Sequence, residues 1–187
     1  YTTSASEQVR YITSHCEAEI AFTDSAQQTA KFLAKRANLP KLRAVVQMGG
    51  QLDPAASQSE LPVFSWDGFM SLADQTSEQA LAARTQAQKP DDACTLIYTS
   101  GTTGDPKAVM ITHTNLTWTA RTGLEAVGRY HLEDVTCSYL PLSHIAEQLT
   151  SVHTPMAAGG CVTFAESLEL LGDGLRHTRP TVFLGVP

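Results

Sequence analysis

Residues 98–113, YTSGTTGDPKAVMITH, decide how the rest of the chain is read. Two runs of strand character, ACTLIYTS and KAVMITH, bracket a polar loop punctuated by Gly101 and Gly104. Glycine permits the backbone angles that aim successive amides in one direction, so such a turn can converge its N–H groups on an anion. The hydroxyls of Thr99, Ser100, Thr102 and Thr103 add donors, Lys107 adds a mobile positive charge, and Pro106 stiffens the approach to it. The loop is not a Walker A motif, which needs GxxxxGK, then Ser or Thr, and a helix start. Here Lys107 precedes Ala108 in a β-type run, and no GxGxxG is present. The pattern predicts a phosphate-binding loop between strands; the plainer alternative is a polar loop without a ligand.

Outward from this loop, strands and helices alternate. Downstream, a Thr/Asn start opens a helix with Leu116, Ala120, Leu124 and Val127 on one face. VTCSYLP reads as a strand, and SHIAEQLTSVHTPMAAGG as a helix with Ile145, Leu149, Val152 and Met156 inward, distorted near Pro155. CVTF, a weak helix and a strand TVFLGV follow. Upstream, Ser4 and Glu7 suggest a capping box for a helix bearing Val9 and Ile12. EIAFTD, LRAVVQM and LPVFSW read as strands, and DGFMSLADQ as a short helix. A helix between the first two strands places Ala30, Leu33, Ala34 and Ala37 on one stripe. Residues 75–92 lack periodicity and take no assignment. The alternation predicts an α/β fold of mainly parallel sheets flanked by helices, with the sheet covered on both faces.

Composition narrows the function classes. A chain of 187 residues can build one α/β domain or part of a larger one, and a net charge of −6 argues against nucleic acid as main partner. Cys16, Cys94, Cys137 and Cys161 show no CxxC spacing and read as small apolar residues of a reduced, intracellular protein. The histidines form no HxxxH or HExxH pair, which argues against structural zinc. No apolar run reaches bilayer length, and the polar opening YTTSASEQVR is unlike a signal peptide. A start without methionine and an end directly after TVFLGV suggest an internal piece of a longer protein.

The string YTSGTTGDPKAVMITHTN resembles the signature of adenylate-forming enzymes, usually YTSGTTGxPKGV. YLPLSHIAEQ resembles a second motif of that superfamily and FLGVP a third. With TWTA, these are most similar to long-chain fatty acyl-CoA synthetases, particularly the bubblegum-type branch, over nearly the whole chain. The resemblance implies a fragment of the large AMP-binding N-terminal domain over 1–187, phosphate loop at 98–107, with the C-terminal lid domain absent. It further implies two-step chemistry. A fatty acid carboxylate attacks the α-phosphate of ATP, releasing pyrophosphate, and the thiol of CoA then displaces AMP. Thr99, Ser100, Gly101, Thr102, Thr103, Gly104 and Lys107 would hold the nucleotide, Lys107 acting catalytically on the departing phosphates. Thr99 would lie near the bridging Mg²⁺. His144 would shape the junction of acyl and nucleotide pockets; a water-exposed histidine at a helix start is the alternative. Ala108 stands where the motif usually has glycine, an obstacle only if that position needs positive φ or close backbone approach.

Ser143 beside His144 invites a hydrolase reading, but no GxSxG elbow is present. Glu147, three residues after His144, either orients it or faces solvent. His113 is expected to cap or pack, and Trp118 to lie in the core. HLED at 131–134 and RHTR at 176–179 read as surface charge. Some relatives carry a tryptophan gate where Gln148 stands, so no gate is carried over. The family's adenine-binding motif, metal-binding glutamate, hinge and catalytic lysine domain are not in these residues, so the piece alone is expected to be inactive. Competing readings are a non-catalytic nucleotide-binding remnant, an adenylating enzyme for another carboxylate, and a phosphotransferase that would release ADP. No nucleic acid partner is expected, and the location is read as cytosolic; a fatty acid substrate, which partitions into membranes, favours peripheral membrane association, although no basic amphipathic helix supports it.

Overall fold

The computed structural model describes residues 3–99, 105–128 and 132–186. The chain divides into two compact units, Tyr1–Gln88 and Lys89–Pro187. Each is α/β, and parallel pairing predominates, as the alternation of strands and helices predicts.

The first unit is a three-stranded parallel sheet in the order β1 (Ile20–Thr23), β2 (Ala44–Gln47), β3 (Val63–Ser65). Its helices are α1 (Ser6–His15), α2 (Ala26–Leu33), α3 (Trp66–Met70) and α4 (Glu78–Ala87). The core holds Leu39, Leu42, Val45 and Leu61, each at most 1% exposed, with Phe32, Leu33 and Val63 against it. Each such side chain contributes roughly 1.5–3 kcal/mol by leaving water. Gly49 closes the turn after β2, where a Cβ would stand 2.6 Å from the carbonyl oxygen of Asp24.

Three expectations change here. The capping box at Ser4 does not form: Ala5 caps α1, the Ser4 carbonyl accepts from Lys31 Nζ at 2.8 Å, and Glu7 pairs with Arg10 and Lys35. The inward face of α2 is Thr29, Phe32 and Leu33, whereas Ala30, Ala34 and Ala37 are exposed. Thr29 turns inward because its hydroxyl meets Thr23 Oγ1 at 2.7 Å and donates to Gln47 Oε1 at 3.1 Å. Within the unassigned stretch 75–92, α4 is exposed throughout and so carries no apolar stripe. Good helix formers and the Ser77 hydroxyl, accepting from Ala80 N at 3.2 Å, suffice to start it.

The second unit contains two two-stranded sheets. Strands β4 (Ala93–Thr99) and β5 (Lys107–Thr112) form an antiparallel hairpin, and β6 (Val135–Ser138) pairs in parallel with β7 (Cys161–Phe164). Helix α5 (His113–Val127) leaves β5 through a capping box. The Thr112 hydroxyl accepts from Asn115 N at 3.1 Å, and Thr112 N donates to Asn115 Oδ1 at 3.0 Å. Leu116 and Ala120 are buried, and Gly128 ends the helix at φ 77°.

After β6, one helical segment runs as α6 (Ile145–Gln148), a π turn (Leu149–His153) and α7 (Thr154–Ala158). Its inward residues are Glu147, Ser151 and Pro155, while Met156 is 78% exposed, which corrects the predicted face. The last helix is α8 (Leu171–Thr178). The expected strand TVFLGV reduces to a single bridge between Thr136 and Val182. Thr181 holds this segment against β6, its hydroxyl donating to Asp134 Oδ1 at 2.6 Å and accepting from Val135 N at 3.0 Å. Asp134 is therefore a structural acceptor rather than free surface charge.

Candidate functional site

The β4–β5 hairpin is in register to its mouth, where Tyr98 faces Ala108 and Thr99 faces Lys107. The Thr99 hydroxyl donates across the mouth to the Lys107 carbonyl at 3.5 Å. Both residues are exposed at the rim of the hairpin. The expected donors Ser100, Gly101, Thr102, Thr103 and Gly104 lie outside the described residues. Ala108 is an ordinary strand residue, absent from the positive-φ positions Glu17 and Arg179. The positive-φ condition that would call for glycine therefore does not apply at Ala108.

His144 belongs to a different element. It is exposed and precedes α6, with its N–H donating to the Pro141 carbonyl at 3.0 Å and its carbonyl accepting from Gln148 N at 3.2 Å. The Gln148 side chain closes the same turn by donating to the Leu142 carbonyl at 2.7 Å. Ser143 Oγ is buried with no hydrogen-bond partner among the described residues.

Glu147, expected either to orient His144 or to face solvent, does not face solvent. It is 1% exposed, and its Oε1 accepts from Ser138 Oγ at 2.5 Å and Ser151 Oγ at 2.6 Å. The sequence held half of this signal: Glu147 and Ser151 are four apart, one face of a helix. Ser138, on the strand before, could not be paired with them by spacing.

Two cavities flank the α6–π–α7 segment. One, of about 310 Å³, has mostly apolar walls including Leu124, Leu149, Thr150, Thr154, Val182 and Phe183. The other, of about 410 Å³, is lined by Cys94, His113, Leu116, Leu142, Val152 and His153, among others. Burial holds the His153 imidazole below its ordinary value of 6.5. His113 begins α5, its backbone N–H donating to the Asp92 carbonyl at 3.3 Å, and it borders the second cavity. Trp118, expected in the core, is 66% exposed. Of the cysteines, Cys137 is buried but Cys161 is exposed, so the reading as apolar residues fails for Cys161. Among the described residues no cluster of His, Cys, Asp or Glu could hold a metal ion, and no helix is long and apolar enough to cross a membrane.

The family model for AMP-binding enzyme matches residues 1–187. The chain is 39% identical over 193 residues to long-chain-fatty-acid–CoA ligase ACSBG2 of Xenopus laevis, covering all of this chain and 26% of that protein. It is 41% identical over 194 residues to long-chain-fatty-acid–CoA ligase ACSBG1 of Bos taurus, again covering 100% and 26%. The chain thus spans about a quarter of the length of these relatives. Among solved structures, the anthranilate CoA ligase AuaEII in complex with anthranoyl-AMP superimposes with a TM-score of 0.77 at 23% identity, over 98% of this chain and 33% of that one. At that identity the likeness concerns the fold.

Proposed function

We infer, from a chain that belongs to the AMP-binding enzyme family, that it supplies the phosphate-binding hairpin of a ligase that activates a long-chain fatty acid with ATP and transfers it to CoA. The 98–107 loop of this piece of an AMP-binding N-terminal domain would take the β- and γ-phosphates. The observation that carries the reading is the placement of Thr99 and Lys107 as direct partners at the mouth of the hairpin that the glycine loop closes.

The chemistry follows from charge. A carboxylate is a poor electrophile, and attack of its oxygen on the α-phosphorus gives an acyl-adenylate and pyrophosphate. Catalysis of such a transfer is mainly positioning plus neutralisation of the departing oxygens. Lys107 would meet that charge, and the loop amides and hydroxyls of Ser100, Gly101, Thr102, Thr103 and Gly104 would direct it. The CoA sulfur then attacks the acyl carbonyl and AMP leaves with the electron pair. Mg²⁺ fits as a companion of the triphosphate: one hydroxyl, Thr99, is a hard oxygen donor but makes no metal site alone. The mostly apolar cavity beside α5 supports a fatty acyl chain, and His144, at the start of the segment that walls it, would shape the join between chain and nucleotide.

Full-length protein supplied with palmitate, ATP and CoA tests the reading. AMP and acyl-CoA are the expected products. Release of ADP would point instead to phosphotransfer, and no acyl-CoA from any fatty acid length would end the proposal. A cytosolic location, with or without membrane apposition, is compatible with this chemistry.

A further inference from the structure

A buried carboxyl group on the α6–π–α7 segment needs a reason. Glu147 is 1% exposed, on a segment whose winding changes immediately after it. Taking such a group out of water is costly unless hydrogen bonds replace the lost ones, and two serine hydroxyls do so here. Ser138 is the last residue of β6, and Ser151 lies inside the π turn. Glu147 therefore ties the strand to the irregular part of the helix.

The π turn has a geometric effect. In a continuous α-helix, Leu149 and His153 at i and i+4 would share a face. Here the Thr154 N–H reaches back to the Leu149 carbonyl, five residues away, and the smaller rotation per residue of this wider turn swings His153 to the other side of Leu149. Leu149, Thr150 and Thr154 line the apolar cavity, whereas Gln148, Val152 and His153 line the other. Regular α winding would carry the His153 imidazole toward the Leu149 side.

We propose that Glu147 is a positioning residue that, through Ser138 and Ser151, holds the π turn and so keeps His153 out of the apolar cavity, setting the length of acyl chain accepted. It touches no reacting atom. The assignment to acyl length rests on the reading of that cavity as the acyl slot; the hold on the π turn does not.

The test uses the full-length protein with Glu147→Leu, Glu147→Gln and Ser151→Ala. Two quantities are read: the ratio of kcat/KM for palmitate over octanoate, and the winding of residues 149–153 in a crystal structure of each variant. Glu147→Leu should lower the ratio by about tenfold and Ser151→Ala by roughly threefold, with KM for ATP unchanged. Glu147→Gln keeps the acceptor oxygen and should retain most of the wild-type ratio. Conversion of residues 149–153 to regular α-helix is expected in Glu147→Leu; if that variant does not fold, Ser151→Ala carries both readouts. A π turn that persists, or a chain-length ratio that does not move, overturns the proposal. Wild-type protein that makes no acyl-CoA defeats the functional reading instead, and the crystallographic comparison still decides the role of Glu147.

Discussion

The two units of the chain are stabilised differently. In the first, the strands of one parallel sheet bury Val45 and Val46 completely, and Leu39, Leu42 and Leu61 nearly so. In the second, among the described residues, the most buried large side chain is Glu147, the strands are split into two pairs, and two cavities flank an irregular helix. One unit is apolar packing with a polar relay of Thr23, Thr29 and Gln47 at the strand ends. The other gives up continuous packing for hollow space, a buried carboxyl group and an exposed lysine. Scaffolds tolerate little void, whereas binding sites require it.

That contrast can be broken most directly at Lys107. In the full-length protein, Lys107→Ala should lower acid-dependent ATP–pyrophosphate exchange by about 100-fold or more, because charge on the departing phosphates loses its counterpart. The urea midpoint should not move, since the side chain is exposed. Unchanged exchange would remove the hairpin from the chemistry.

Leu42→Ala should give the reverse. It opens a cavity in the first unit and should cost about 3 kcal/mol in urea denaturation. At temperatures where the variant remains folded, kcat should be near wild type. A loss of kcat with unaltered stability would contradict the division of labour.

The pH dependence sharpens the comparison further. Burial lowers the His153 pKa below 6.5, so the folded state prefers the neutral ring. Between that value and 6.5 the unfolded chain binds more protons, and stability rises with pH across the window. The contribution is complete above 6.5 and lost as pH falls through the folded value. His153→Gln should flatten the pH dependence of the thermal midpoint there; an unaltered slope would mean that burial of the ring is not felt.

The smallest effect belongs to the surface of the first unit. Hydrogen bonds from Lys35 and then Arg10 hold the Glu7 carboxyl below 4.5. Stability from this cluster is present above 4.5 and disappears as pH falls through the lowered value. Glu7→Gln should slightly reduce the acid sensitivity of the thermal midpoint at low salt, and added salt should erase the difference from wild type. A large, salt-insensitive change would place Glu7 in a structural role that its exposure does not suggest.

Much of the fold was legible because the signals were local. The hairpin strands around residues 100–106, the Thr112 and Asn115 cap, and the stripe of Leu116 and Ala120 on α5 each lie within a few residues of their partners. The misread faces share one cause. On α2 and on α6–π–α7, the inward positions are taken by Thr29, Glu147 and Ser151, polar residues that hydrophobic periodicity turns outward by default. The string TVFLGV was apolar enough for a strand, yet only Val182 bridges Thr136.

The amino-acid order alone established an α/β chain of mainly parallel pairing, a glycine-punctuated loop between two strands with Lys107 opening the second, and the family to which that loop points. The tertiary structure decided which helix faces turn inward, where α winding yields to a π turn, and that Glu147 is sheltered instead of solvated. The reason is distance along the chain. Backbone propensities and caps act within a turn or two, but a polar side chain can be buried only when partners such as Ser138 for Glu147, Gln47 for Thr29 or Asp134 for Thr181 arrive from another element.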